Sequence, residues 1–129
     1  MTRDEIVQGV RECLSMALDI PADSIRPESR IIEDLGADSL DLLDVTFQLE
    51  QRFRIPISPR EVERRARESL RDAPLEVDGV YTPQALAEIR QLMPEIPPGE
   101  LPDGMRAIDL PRRLRVESLV NLVERLLPV

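Results

Sequence analysis

Histidine and lysine are absent from this 129-residue chain, cysteine occurs once, and aromatic residues make up only 2%. Each scarcity removes a class of chemistry. Without histidine, neither a Ser-His-Asp triad nor a Cys-His pair can be assembled. With Cys13 alone, no internal disulfide can form and no cysteine-rich metal site can be built. Cys13 lies among apolar residues at helical spacing and reads as a buried core thiol. So few rings mean an aliphatic core. No apolar run approaches the length of a membrane helix, and the N-terminus lacks the basic-then-apolar order of a signal peptide. The chain is therefore expected in the cytoplasm and not as an integral membrane protein.

What is present is acid. The net charge is −8, and all 17 basic residues are arginine. Such a protein is a poor nucleic-acid binder and calls for basic partners. Its length suits one domain with a single modest core. Asp34, Asp38, Asp41 and Asp44 do not make a calcium loop, because Gly36 falls where the EF-hand pattern needs a ligand. Weak, nonspecific divalent binding is the most they imply, and no metal site is assigned.

The most informative stretch is Glu33-Asp34-Leu35-Gly36-Ala37-Asp38-Ser39-Leu40-Asp41. Asp38 is a good N-cap and Asp41, three positions on, can complete a capping arrangement, so a helix should begin at or next to Ser39. A helix start collects unpaired N–H groups and the positive end of the macrodipole, which suits a phosphate ester on that hydroxyl. The plain alternative is a capped helix start with an idle serine.

The pattern predicts an all-α fold of four or five helices with a long interruption. Thr2-Arg3-Asp4-Glu5 is a capping box, followed by Ile6, Val7, Val10, Leu14, Ala17 and Leu18 on one face, closing before Pro21. Between Pro21 and Gly36, residues Ile25, Ile31, Ile32 and Leu35 are spaced to pin a loop onto a core. A second helix runs from Ser39 to about Phe53. Ser58-Pro59-Arg60-Glu61 is a further capping box, opening a charged helix through about Arg71. Thr82-Pro83 opens a helix that ends before Pro94. Val116, Leu119, Val120, Val123, Leu126 and Leu127 form the stripe of the last helix, closed by Pro128. No run alternates like a solvent-facing strand.

The second helix has more apolar surface than one core stripe needs. Leu42, Val45, Leu49 and Phe53 should face the interior. Leu40, Leu43 and Phe47 form a second row, beside Asp38, Asp41 and Asp44, with no basic residue between Arg30 and Arg52. One-sided acidity next to aliphatics suits docking on basic partners with apolar pockets, unless neighbouring loops cover that row.

From the first helix to about Ile57 the chain resembles the acyl carrier protein family, through Glu-Asp-Leu-Gly-Ala-Asp-Ser-Leu-Asp and then Leu49-Glu50-Gln51-Arg52-Phe53 and Ile57. Val116-Glu117-Ser118-Leu119-Val120-Asn121-Leu122-Val123 resembles the family's final helix. The resemblance implies a non-catalytic, four-helix carrier of the discrete, type II kind. Ser39 would carry 4′-phosphopantetheine, delivered from coenzyme A by a phosphopantetheinyl transferase, and Asp38, Asp41 and Asp44 would form the recognition face for acyl-transferring and acyl-modifying enzymes. Fatty-acid or lipid biosynthesis is the implied setting. A polyketide or nonribosomal peptide carrier is the neighbouring alternative, although peptidyl carriers more often have Gly-Gly where Ala37 stands. An unmodified helical adaptor using only the acidic face is the alternative of another class.

Two departures stand out. Gln51 and Arg52 replace an acidic run, and about fifty residues separate Ser58 from Arg115 where relatives have a short helix and loop. The division expected is one carrier domain, with core 1–59 and 110–129 and a separable insert at about 60–109. Glu61–Arg65 and Glu63–Arg67 pairs point to a solvated, salt-bridged helix in that insert, or alternatively to a basic patch. Proline and glycine concentrate at 73–79 and 93–111, which reads as extended linkers. Leu86, Ile89, Leu92 and Met93 give the helix between them an apolar face for the core, the acyl group or self-association.

Overall fold

The computed structural model describes residues 1–57 and 60–128. Among them are five α-helices, α1 (Arg3–Leu18), α2 (Ser39–Phe53), α3 (Glu61–Leu70), α4 (Pro83–Leu92) and α5 (Val116–Leu126). Two-residue strands β1 (Glu76–Val77) and β2 (Val80–Tyr81) pair antiparallel. Short 3-10 turns cover Ala22–Ser24, Pro98–Glu100 and Ala107–Arg113. The chain is all-α in class, and the hairpin is a small exception that no alternating run announces. No helix among the described residues is long and apolar enough to cross a membrane. By contact the chain divides into two compact units, Met1–Pro59 with Leu114–Val129, and Arg60–Arg113.

In the first unit, α1 packs on both α2 and α5. Thr2 starts α1 with both bonds of a capping box, and Asp19 ends it in the left-handed conformation. Ile6, Val10 and Leu14 of α1, Val45, Leu49 and Phe53 of α2, and Val116, Leu119, Val120 and Val123 of α5 form one buried cluster. Each such side chain removed from water contributes roughly 1.5–3 kcal/mol. Gly9 admits the Phe53 ring, since a Cβ there would stand 2.5 Å from Cζ. Cys13 is buried beside them, and burial pushes its thiol above its ordinary range.

The loop from α1 to α2 is fastened in two ways. Ile25 and Ile31 are buried in the cluster, with Ile32 and Leu35 packed against it. Ile31 N donates to Leu114 O at 3.1 Å, Val116 N to Ser29 O at 2.9 Å, and Glu117 N to Pro27 O at 2.9 Å. These bonds tie the loop to the beginning of α5.

In the second unit, α3 packs on α4. Ser58 and Pro59, part of the expected capping box, lie outside the described residues. The helix itself begins at Glu61, and Arg60 at its N-cap makes no side-chain capping bond. Two of its three glutamates are not solvated, Glu61 at 5% and Glu63 at 9% exposure, while Glu68 is exposed. Glu61 accepts from Arg64 Nε at 3.0 Å and stands 3.5 Å from Arg65 Nε, so one of the expected pairs forms. Glu63 instead accepts from the buried Tyr81 hydroxyl at 3.0 Å. Burial, reinforced by Glu63, pushes the Tyr81 phenol far above its usual range.

The segments expected as extended linkers are folded. Asp78 and Gly79 take φ values of 53° and 80°, the two positive-φ positions of a tight hairpin turn. Tyr81 N donates to Met105 O at 3.0 Å and Ala107 N to Gly79 O at 2.9 Å, which draws the later segment against β2. Leu75, Ile96, Leu101, Met105 and Leu110 are buried. The prolines shape turns here, and the single apolar residues between them supply the interior. Leu86, Ile89 and Met93 are also buried within the chain, at 0%, 0% and 2% exposure, so this face is not open to a second copy.

Glu61 makes the second unit acid-sensitive. Hydrogen bonds from Arg64 hold its carboxyl below the ordinary 4.5, against the opposing effect of burial. A carboxylate lowered in the folded state stabilises fully above its unfolded value, and that contribution is lost as pH falls through the lowered one. Glu61→Gln should cost about 1–2 kcal/mol at neutral pH in urea titrations and shrink toward no effect well below pH 4.5.

Candidate functional site

The site is built from the chain around Ser39. Gly36 adopts φ +76°, and nothing lies within 4 Å of where its Cβ would be. Ala37 is buried and its N–H donates to Ile31 O at 3.2 Å, so the loop is anchored two residues before the serine. Asp38 then caps α2: Asp41 N donates to Asp38 Oδ1 at 2.9 Å, and Asp38 N donates back to Asp41 Oδ2 at 3.0 Å. Ser39 is the first residue of α2 and is exposed. Its hydroxyl stands in the first turn, where free N–H groups and the macrodipole favour a phosphate.

The remaining predicted site residues lie along the same helix. Leu40, Leu43 and Phe47 are 75%, 55% and 56% exposed, while Val45, Leu49 and Phe53 are buried. Asp38 and Asp44 are exposed and Asp41 is half-buried. The helix thus presents an apolar outer row edged by carboxylates, and no loop among the described residues covers that row.

Arg52 has a role that sequence reading did not find. Its Nη1 pairs with Glu12 Oε2 at 2.6 Å, joining the end of α2 to α1. The hydrogen bond from Arg52 holds the Glu12 carboxyl below its usual range. The departure from an acidic run at this position therefore has a structural use. Nothing local in the sequence signals it, because Glu12 is forty residues away.

The family profile described as phosphopantetheine attachment site matches residues 8–67. An acyl carrier protein of Campylobacter jejuni (strain RM1221) is 49% identical over 63 residues, which cover 49% of this chain and 77% of that relative. The chain belongs to the acyl carrier protein family. Similar figures hold for the acyl carrier proteins of Campylobacter hominis, 40% identical over 60 residues (46% of this chain, 76% of the relative), and Helicobacter hepaticus, 40% over 57 residues (44% and 75%). Membership makes the chain a carrier of acyl groups on phosphopantetheine and not an enzyme. Its partners are a phosphopantetheinyl transferase and acyl-handling enzymes, and fatty-acid biosynthesis is the family's usual role. The exposed hydroxyl of Ser39, at a helix start with open space beside Gly36, fits such a group.

The cap holds this geometry. Asp38→Ala removes the acceptor for Asp41 N, and N-cap losses cost about 1 kcal/mol. The urea midpoint should fall by a corresponding amount, while circular dichroism still shows a helical protein.

Proposed function

We propose that Ser39 is the residue that bears 4′-phosphopantetheine, in a discrete carrier serving fatty-acid or related lipid synthesis. The observation that carries this reading is the exposed serine at the first position of α2, its surroundings fixed by the reciprocal Asp38–Asp41 bonds. A transferase moves the phosphopantetheine arm from coenzyme A to Ser39 Oγ. The arm's terminal thiol holds the acyl group as a thioester. The chain's own residues contribute position: the anchored loop and the cap fix where the hydroxyl stands, and the exposed row of α2 gives partners a place to seat. Cys13, alone and reduced, suits the cytoplasm.

Docking in this reading uses Asp38, Leu40, Asp41, Leu43, Asp44 and Phe47. The carboxylates attract a basic partner over several ångströms, and the apolar row supplies short-range contact. The unit Arg60–Arg113 is proposed to be separable from carrying. Because α3 packs on α4, the natural cut precedes α3, and a cut at Ala73 would split a packed pair.

Intact mass after incubation with coenzyme A and a transferase tests the assignment. The wild-type protein should gain one phosphopantetheine, Ser39→Ala none, and a chain with residues 60–113 replaced by a Gly/Ser linker one. A mass gain on the Ser39→Ala protein would move the site to another serine. No gain on the wild type would favour the unmodified adaptor.

Docking is tested by rate. Reversing Asp41 and Asp44 to lysine should slow modification at least about tenfold, and the wild-type rate should decline as salt rises. Indifference to both changes would place recognition away from α2.

A further inference from the structure

The outer side of α3 carries a row of arginines that neither the core nor the carrier site uses. Arg64 and Arg67 stand one turn apart on the exposed side of α3, with Arg60 at its N-cap and Arg71 at its C-cap, so that four arginines follow one another along this element. All four are exposed, while Glu63 and Ala66 occupy the buried side. Arg64 is engaged by Glu61 and Glu68, and Arg60 stands 3.7 Å from Glu63. Arg67 and Arg71 have no ion-pair partner among the described residues. Like charges one turn apart weaken a helix by tenths of a kcal/mol each, so Arg67 and Arg71, unlike Arg64, do not serve the stability of α3.

We propose that this row is a second docking surface, and that it receives a protein helix presenting carboxylates at the same one-turn intervals. Arginine's planar fork suits paired contacts with carboxylates. Polyanions fit the charge distribution poorly: Glu61, Glu63 and Glu68 interleave with the arginines, and residues 60–113 hold nine arginines against eleven acids, so carboxylates at set intervals can meet the arginines and miss the acids where a continuous polyanion cannot. A second copy is also a poor match. The acids of α2 span only Asp38 to Asp44, roughly 9 Å, and Asp38 and Asp41 are already bonded to each other's backbone. The carrier therefore has two recognition surfaces of opposite sign, an acidic one on α2 for basic partners and a basic one on α3 for an acidic partner.

The test uses the full chain and a labelled helical peptide with glutamates at i, i+4, i+7 and i+11, compared with an isomer of identical composition and scrambled order. In fluorescence anisotropy the matched peptide should bind at least about tenfold more tightly than the isomer, and more weakly as salt rises. Arg67→Glu with Arg71→Glu should remove that preference, whereas reversing Asp41 and Asp44 should leave it unchanged. Equal binding of the two peptides would overturn the proposal, as would binding indifferent to the arginine changes. Tighter binding of duplex DNA or phosphatidylglycerol vesicles through the same arginines would replace the protein partner with a polyanion. A salt-sensitive dimer abolished by the arginine changes would replace it with a second copy. Should the double reversal lose helicity, Arg67→Gln with Arg71→Gln serves in its place, and the same loss of preference is expected.

Discussion

The position of Ser39 depends on a backbone seam between distant parts of the sequence. Residues 27–31 bond to residues 114–117, so the loop that delivers the serine is held by the start of the last helix. Buried Ile25 and Ile31 reinforce the seam from the inside. This explains how the sequence can take up fifty extra residues between Ser58 and Arg115 without disturbing the surroundings of Ser39. Once Leu114 and Val116 return to their partners, the loop has all of its support, whatever the intervening chain does. The cost is entropic and grows slowly with loop length.

On α2 a division of labour runs along the helix. One row, Val45, Leu49 and Phe53, is buried and stabilises the unit; the other, Leu40, Leu43 and Phe47, is exposed. Each exposed side chain forgoes the stabilisation that burial would bring, and the adjacent carboxylates keep the surface solvated. Arg52, paired with Glu12, closes the helix to α1 without placing a basic charge among Asp38, Asp41 and Asp44. The buried and the exposed apolar rows thus occupy different sides of the same fifteen-residue helix.

The parts of the structure that were legible in the sequence are those governed by neighbours. The capping boxes at Thr2 and Asp38, the close of α1 before Pro21 and the start of α4 at Thr82-Pro83 all depend on residues within one turn. The stripes of α1, α2 and α5 could be read because their periodicity is sustained. The interior of the second unit could not be read in that way. Its apolar residues Ile96, Leu101, Met105 and Leu110 are irregularly spaced among prolines and carry no period. Glu63 looked like half of a surface pair with Arg67, because its true partner, the Tyr81 hydroxyl, is brought close only by tertiary packing. Asp78-Gly79 was a legible signal that went unused: both residues tolerate positive φ, which a tight hairpin requires. Arg52 and Glu12 were illegible for the reason that Glu63 and Tyr81 were.

Burial of Cys13 has a chemical consequence for a protein that works by displaying a thiol. Thioester exchange needs a thiolate with access to the acyl carbon. Cys13 is 4% exposed, and its proton is held more firmly than in a free thiol. The polypeptide's own thiol is therefore silent toward acyl cargo, and the exposed thioethers of Met1 and Met16 cannot form a thioester. A thiol-selective reagent applied to the folded chain sees only the thiol that arrives with the prosthetic arm. The loaded and unloaded forms differ in thiol chemistry by one reactive centre, set against a background of none.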